Sequence, residues 1–223
     1  MKSEYINKIT DADLILIGVG SEFEEKKYQK FQDAIEALAV LRDVLQKKNF
    51  FVISTCTNDI LDAAGFSKER TVTPCGTLRK KQCPNQCEGS LAPLTENEIE
   101  EYLFLSEIAE CPDLGKCNHC GEKLVYNNIY ASQYDERGYL DDWKMYTKWL
   151  QGTLNKKLCI LELGVDFSFP SIIRWPFEKV AFYNQKAEFL RVNENLYHMS
   201  EELKDKGVAI PQKAIDWLLE KDI

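Results

Sequence analysis

Three runs in this chain are apolar at nearly every position: DLILIGVGS (13–21), FFVIST (50–55) and KLCILELGVD (157–166). A strand with one face in water alternates apolar and polar residues. Unbroken runs of this kind fit strands buried on both faces, as in a parallel sheet with helices on each side. Between the first two runs, Phe31, Ile35, Leu38, Leu41 and Leu45 recur at helical spacing within 24–48. NDILDAAGF (58–66) reads as a short helix with Asn58 or Asp59 at its N-cap and Gly65 near its end. A long helix is expected around 139–153, with Trp143, Tyr146 and Trp149 as its packing stripe. VAFYNQ (180–185) and EFLRVN (188–193) read as short strands, and PQKAIDWLLEKDI as a terminal helix with Pro211 at its start. The expected class is α/β: a doubly wound, mostly parallel Rossmann-like sheet.

Residues 75–125 break this alternation. Cysteines, prolines and turn residues dominate, and TENEIEEYLFLSEIAE (95–110) is a helix opened by a capping box from Thr95 to Glu98. The reading divides the chain into a Rossmann-like domain of 1–74 and 126–223 and an inserted module of 75–125. The module carries CPNQC at Cys83 and Cys87 and CNHCG at Cys117 and Cys120, with 29 residues between the pairs. Four thiolates on two tight turns suit a tetrahedral zinc, and a site closed by four cysteines is structural, since no position is left for water or substrate. The alternative is four free thiols on a loop, with Cys111 or His119 as spare ligands. Reduced thiols at such density would be an oxidation hazard, so zinc is the expectation.

The 223 residues carry a formal net charge of −8. A nucleic-acid footprint needs clustered cations, and Arg79-Lys80-Lys81 is the one basic cluster, too short to supply it. No apolar run approaches the ~20 residues that a bilayer requires. The start MKSEYINKIT lacks the apolar core of a signal peptide. A cytoplasmic protein without nucleic-acid or membrane partners is expected, and its eight cysteines suit metal ligation or free thiols better than disulfides. Cys56 and Cys159 sit in apolar runs and read as core.

A glycine turn after a strand lets backbone N–H groups approach a diphosphate, but SEFEEKK sets Glu22, Glu24 and Glu25 beside that site, so IGVGS alone points as readily to a plain turn. The order of motifs goes further. A strand ending in Gly-x-Gly-Ser, a second strand with an Ala-Gly helix behind it, then PCG (74–76), a cysteine pair and CNHCG together resemble the sirtuins, NAD-dependent protein deacylases. LGVDFSFP (163–170) is similar to the family's Gly-Thr-Ser-x-x-Val-x-Pro segment, and Phe182–Asn184 to its Ile-Asn step at the adenosine ribose. The resemblance covers about residues 13–195. It implies an adenine dinucleotide, NAD or ADP-ribose, held by Gly18, Val19, Gly20, Ser21, Gly164, Val165, Asp166 and Asn184.

Departures from the family fall where its chemistry lies. The His-Gly dipeptide, whose histidine takes a proton from a nicotinamide-ribose hydroxyl, becomes Cys75-Gly76. The Thr-Gln-Asn-Ile-Asp motif aligns with Ser54–Asn58, placing Cys56 for Asn and Asn58 for Asp. The nicotinamide-caging Ile-Pro-Asp-Phe-Arg has no counterpart in SEFEEKKYQKF, and NNIYASQYD replaces the acyl-lysine-binding Val-Val-x-Phe-Gly-Glu stretch. A thiol with an ordinary pKa near ~8.5 is a poor base at neutral pH. The expected function is a sirtuin-like nucleotide pocket with impaired catalysis, acting with a protein partner. The alternatives are an active deacylase or ADP-ribosyl transferase, or a scaffold without ligand.

Overall fold

A computed structural model describes residues 1–24, 28–103 and 113–220. In chain order the elements are α1 (Ser3–Asp11), β1 (Leu14–Val19), α2 (Tyr28–Leu45), β2 (Asn49–Ser54), α3 (Ile60–Ala63), β3 (Thr71–Val72) and β4 (Gly76–Gln82). Then come β5 (Ala92–Pro93), α4 (Glu96–Leu103), β6 (Val125–Asn128), α5 (Leu140–Gln151), β7 (Leu158–Leu163), α6 (Arg174–Tyr183), β8 (Ala187–Val192), β9 (Gly207–Ile210) and α7 (Ala214–Leu219). Six strands form one parallel sheet in the order β3-β2-β1-β7-β8-β9.

The apolar runs are β1, β2 and β7, and β1 and β7 are buried at every position. Alternate residues face opposite layers, as the pleat requires. Ile15, Ile17 and Val19 meet Leu38 and Leu41 of α2 and Trp217 of α7 on one side. On the other, Leu14 and Leu16 share a core with Phe177 of α6 and with Tyr146, Trp143 and Trp149 of α5. Helices thus cover both faces, and the strand order reverses between β1 and β7. In such sheets the crevice at the strands' carboxyl ends, at that reversal, is where ligands bind.

VAFYNQ is no strand: Val180–Tyr183 are the end of α6 and Asn184 its C-cap. Ile173, Phe177 and Ala181 recur every four residues and are buried, which makes a helical face, and Pro176 sits in the first turn, where the helix tolerates it. EFLRVN does form β8. Asp59 stands at the start of α3, but in the left-handed conformation (φ 57°) and without a capping bond from its side chain. Pro211 precedes α7 by three residues. The capping box of α4 is made as its sequence signature requires: the Glu98 carboxylate accepts from the Thr95 N–H (2.8 Å) and hydroxyl (2.9 Å), and the Thr95 hydroxyl accepts from the Glu98 N–H (3.3 Å).

β5, β4 and β6 make a second, antiparallel sheet with its own small core of Leu78, Leu94, Leu114 and Tyr126. Among the described residues no helix is long and apolar enough to cross a membrane.

One charge sits inside the parallel sheet. Glu162 of β7 is fully buried, and Arg191 of β8 grips it with Nε at 2.7 Å and a terminal nitrogen at 3.0 Å. Arg174 of α6 adds a contact at 3.2 Å. Arg191 also reaches Glu178 at 2.8 Å. Breaking such a pair strands a buried charge, at about 3–5 kcal/mol. Arg191→Leu should therefore lower the unfolding free energy by about that amount in denaturant titrations; a loss under about 1 kcal/mol would show that the sheet does not depend on the pair.

Candidate functional site

β1 and β7 end side by side. The Gly20 N–H donates to the Leu163 carbonyl (2.8 Å), and the Thr55 N–H to that of Val19 (3.0 Å). A Cβ at Gly20 would lie 2.3 Å from Val165 Cα and 2.4 Å from the Gly164 carbonyl oxygen, so only glycine lets the two chains cross. Gly18 serves a different end: its Cβ would meet Ile173 and Phe177 of α6 at 2.5 and 2.8 Å. It is a packing glycine beneath the crevice. Glu22 does not oppose a ligand there, because its carboxylate accepts from the Ala214 and Ile215 N–H groups (3.0 Å each) at the start of α7. Glu25 lies outside the described residues.

The chain after β7 is fixed by its own polar groups. The Ser21 hydroxyl donates to Asp166 (2.7 Å), as do the Ser168 N–H (2.8 Å) and hydroxyl (3.0 Å). Burial works to raise the Asp166 carboxyl, but these bonds outweigh it and hold it below its usual range. The Val165 carbonyl accepts from Arg174 (2.9 Å) and from the Asn193 side chain (3.0 Å). Val19, Gly20, Ser21, Gly164, Val165 and Asp166 thus meet at one edge. Asn184 does not join them. Its side chain donates to the carbonyls of Thr153 (3.1 Å) and Lys156 (3.2 Å), before β7, at the opposite edge of the sheet. The asparagine at the crevice is Asn193, which directly follows β8 and whose place a strand ending at Val192 could have signalled.

Cys75 is fully buried. Its carbonyl accepts from Ile129 (3.0 Å), and the next residue must be glycine: Gly76 has φ +92°, and a Cβ there would lie 2.3 Å from the Asn127 carbonyl oxygen. Burial first, then the negative charges of Glu24 and Asp166, push the Cys75 thiol up to about 12. Neither neighbouring cation relieves it. Arg79 pairs with Asp59 (3.0 Å) and Asp62 (3.2 Å), and Lys80 donates to the Gly138 carbonyl. Cys56 is equally buried and donates to the Gly20 carbonyl (3.1 Å). Both thiols feel the charge of Glu24, an acid of the SEFEEKK run. Glu24 accepts from the Thr57 N–H (2.6 Å) and hydroxyl (2.7 Å), and its burial raises its pKa. Tyr130, 74% exposed, lies near enough that Glu24, Cys75, Cys56 and Asp166 all raise its phenol after burial has done so.

Cys83, Cys87, Cys117 and Cys120 place their sulfur atoms within 4.8 Å of one another, an arrangement that could hold a metal ion. The Cys83–Cys120 separation is 3.4 Å, and no disulfide links the described cysteines. Gly121 (φ +79°) returns its N–H to the Cys117 carbonyl (2.9 Å), closing the second turn. His119 lies within that turn but outside the four-thiol group, and Cys111 falls outside the described residues.

No protein-family model matches the chain. A probable bifunctional ADP-ribose hydrolase/ADP-ribosyltransferase of Fusarium oxysporum f. sp. cubense is 26% identical over 150 residues, covering 64% of this chain and 25% of that protein. A protein ADP-ribosyltransferase of Staphylococcus aureus is 17% identical over 181 residues, covering 79% and 57%. The chain therefore spans about a quarter and somewhat over half of these relatives' lengths. Solved structures similar to it are sirtuins. A structure on sirtuin substrate affinity matches with a TM-score of 0.60 at 11% identity over 97% of this chain and 96% of that one. A Sir2 homologue with ADP-ribose matches at 0.56 and 12% over 98% and 94%. Sir2 with a p53 peptide and NAD+ matches at 0.58 and 10% over 97% and 95%. The fold is the sirtuin fold, as the order of motifs implied.

The crossing at Gly20 gives a direct test of this geometry. In Gly20→Ala the backbone of Gly164 and Val165 must move, which should destabilise the protein by about 1–3 kcal/mol, the usual range for overpacking. An alanine variant melting with the wild type would show that the two turns do not touch.

Proposed function

We propose that the chain holds an adenine dinucleotide, NAD or its ADP-ribose portion, in the crevice at the carboxyl ends of β1 and β7, and that the site is impaired as a deacylase. The residual chemistry that fits it is ADP-ribosyl transfer. Val19, Gly20, Ser21, Gly164, Val165 and Asp166 would line the pocket, with Asn193 rather than Asn184 beside them and Gly18 supporting from beneath.

The observation that carries this reading is Cys75. Deacylation by the sirtuin route draws a proton from a ribose hydroxyl with a base at this position. A thiol pushed up to about 12 stays protonated at neutral pH and cannot accept it. Transfer of the ADP-ribosyl group to an outside nucleophile needs no ionisation of that hydroxyl. The names of the two curated relatives support the same direction. A nucleotide-holding scaffold that works through a protein partner is the second reading, and the buried, inert Cys75 favours it as well.

In this reading Cys83, Cys87, Cys117 and Cys120 hold one structural zinc around which 75–125 folds as a module. Zn–S bonds of ~2.3 Å set tetrahedral S···S edges near ~3.8 Å, close to the observed clustering. Thiolate ligation suits a reducing compartment, which makes the cytoplasm the proposed location.

Calorimetry should register ADP-ribose binding, and incubation with NAD should release nicotinamide while acetyl-lysine peptides remain uncleaved. Cys75→Ala should change none of these. Rapid NAD-dependent deacetylation would refute the reading, and ADP-ribose binding without nicotinamide release would select the scaffold. Elemental analysis should find about one zinc per chain, and Cys117→Ser should lose both metal and folded fraction. Metal-free protein that melts like the native form would remove the zinc.

A further inference from the structure

Proton transfer in this crevice has few candidate groups. His119 lies in the turn between Cys117 and Cys120, away from the crevice, and His198 stacks on Tyr197 at 4.2 Å, so neither histidine serves. Cys75 and Cys56 are buried thiols, each with its pKa raised by burial first. The Tyr130 phenol is raised too. All three are protonated at neutral pH. Asp166 is ionised, and its hydrogen bonds outweigh its burial and hold it below the usual carboxylate range, which makes it a weak proton acceptor.

We propose that Glu24 is the proton acceptor of the site, the group that deprotonates the nucleophile receiving the ADP-ribosyl group. This rests on the ADP-ribosyl-transfer reading above. The residue is half-buried, and Thr57 holds its two carboxylate oxygens in place through two short bonds, with Cys56 and the Asn58 N–H also bonded to the group. The groups around it come from several elements: Cys56 and Thr57 after β2, Cys75 before β4, and Tyr130 after β6, with Asp166 after β7 beyond Cys75. Its hydrogen-bond donors are neutral. A carboxylate buried without a cation is unfavourable for folding alone, and such groups gather at functional sites. Burial raises its proton affinity, which suits a base better than Asp166 does.

The step balances. The bond between the ribose C1′ and the nicotinamide nitrogen breaks, and nicotinamide leaves with the electron pair. A lone pair on the acceptor, or on water, forms the new bond at C1′. The proton that the acceptor sheds goes to Glu24, which becomes neutral and later returns it to solvent. No oxidant or further reactant is needed.

The test follows nicotinamide release from NAD across pH in the wild type, Glu24→Gln and Glu24→Asp, with ADP-ribose affinity measured for each. A base works when deprotonated, so the wild-type rate should fall as pH drops through a point above the usual carboxylate range. Glu24→Gln should lose on the order of 10²–10⁴-fold in rate. It should also lose the acidic limb while ADP-ribose affinity stays within about threefold. Glu24→Asp should keep the limb at a reduced rate but move its midpoint, because the titrating group is then a different carboxyl, and that movement carries the test if Glu24→Gln fails to fold. A carboxylate that only tied down the turn at Thr57 would change affinity and stability but leave the limb in place. An active wild type with an unchanged limb in both variants overturns the role of Glu24 and leaves the transfer reading standing. A wild type that binds ADP-ribose and releases no nicotinamide overturns the transfer reading, and the proton acceptor with it.

Discussion

A single carboxylate organises one half of the molecule. Glu162 lies fully buried in the middle strand pair of a parallel sheet, and it is tolerable there because two guanidiniums meet it. Those guanidiniums come from different elements and have donors to spare. Arg174 spends its own on the carbonyls of Val165 and Leu196, and Arg191 on that of His198. The charge cluster therefore fixes two stretches of irregular backbone, one after β7 and one after β8. Apolar replacement of buried ion pairs is often neutral or stabilising in other proteins. What hydrocarbon could not supply is the set of directed bonds to those carbonyls, and the turn carrying Asp166 hangs from one of them.

The two cysteine-bearing regions are linked by one strand. Cys75 leads into β4 and Cys83 follows it, so seven residues of strand, roughly 23 Å at ~3.3 Å per residue, separate crevice from cluster. Near the far end of β4, Gln82 is fully buried; its amide accepts from the Asn127 side chain (2.6 Å) and the Asp135 N–H (2.9 Å) and donates to the Gln133 carbonyl (2.6 Å). The cluster is thus too distant to touch chemistry at Cys75, but it anchors the strand that positions that residue.

The buried strands, the capping box at Thr95 and the cysteine pairs were legible in the sequence because each is a local pattern with one physical meaning. The misplacements share a different cause. Phe182–Asn184 has strand-like residues, yet Ile173, Phe177 and Ala181 outweigh them by offering α6 a face to bury against Gly18. That contact lies over 150 residues away in the chain, beyond any local window. Glu24 was visible as an acid next to the glycine turn, but only the fold brings Thr57 to it and so gives it a different place from Glu22. Glu162 was hidden by its strand, since one charge in an apolar run carries no mark of the arginines that meet it. The glycines were visible as glycines, but their separate duties, packing at Gly18 and crossing at Gly20, depend on partners from distant segments.

The Glu22 carboxylate does more than keep clear of a ligand. It belongs to the same tight turn as Ser21, and it holds the first two N–H groups of α7. The last described helix is therefore buttoned to the rim of the crevice by one side chain. Mechanical load on α7, whether from a fused domain or a tethered surface, would be passed through Glu22 to the turn that carries Ser21. The terminal helix works as a clasp, and its grip sets how firmly the crevice keeps its shape.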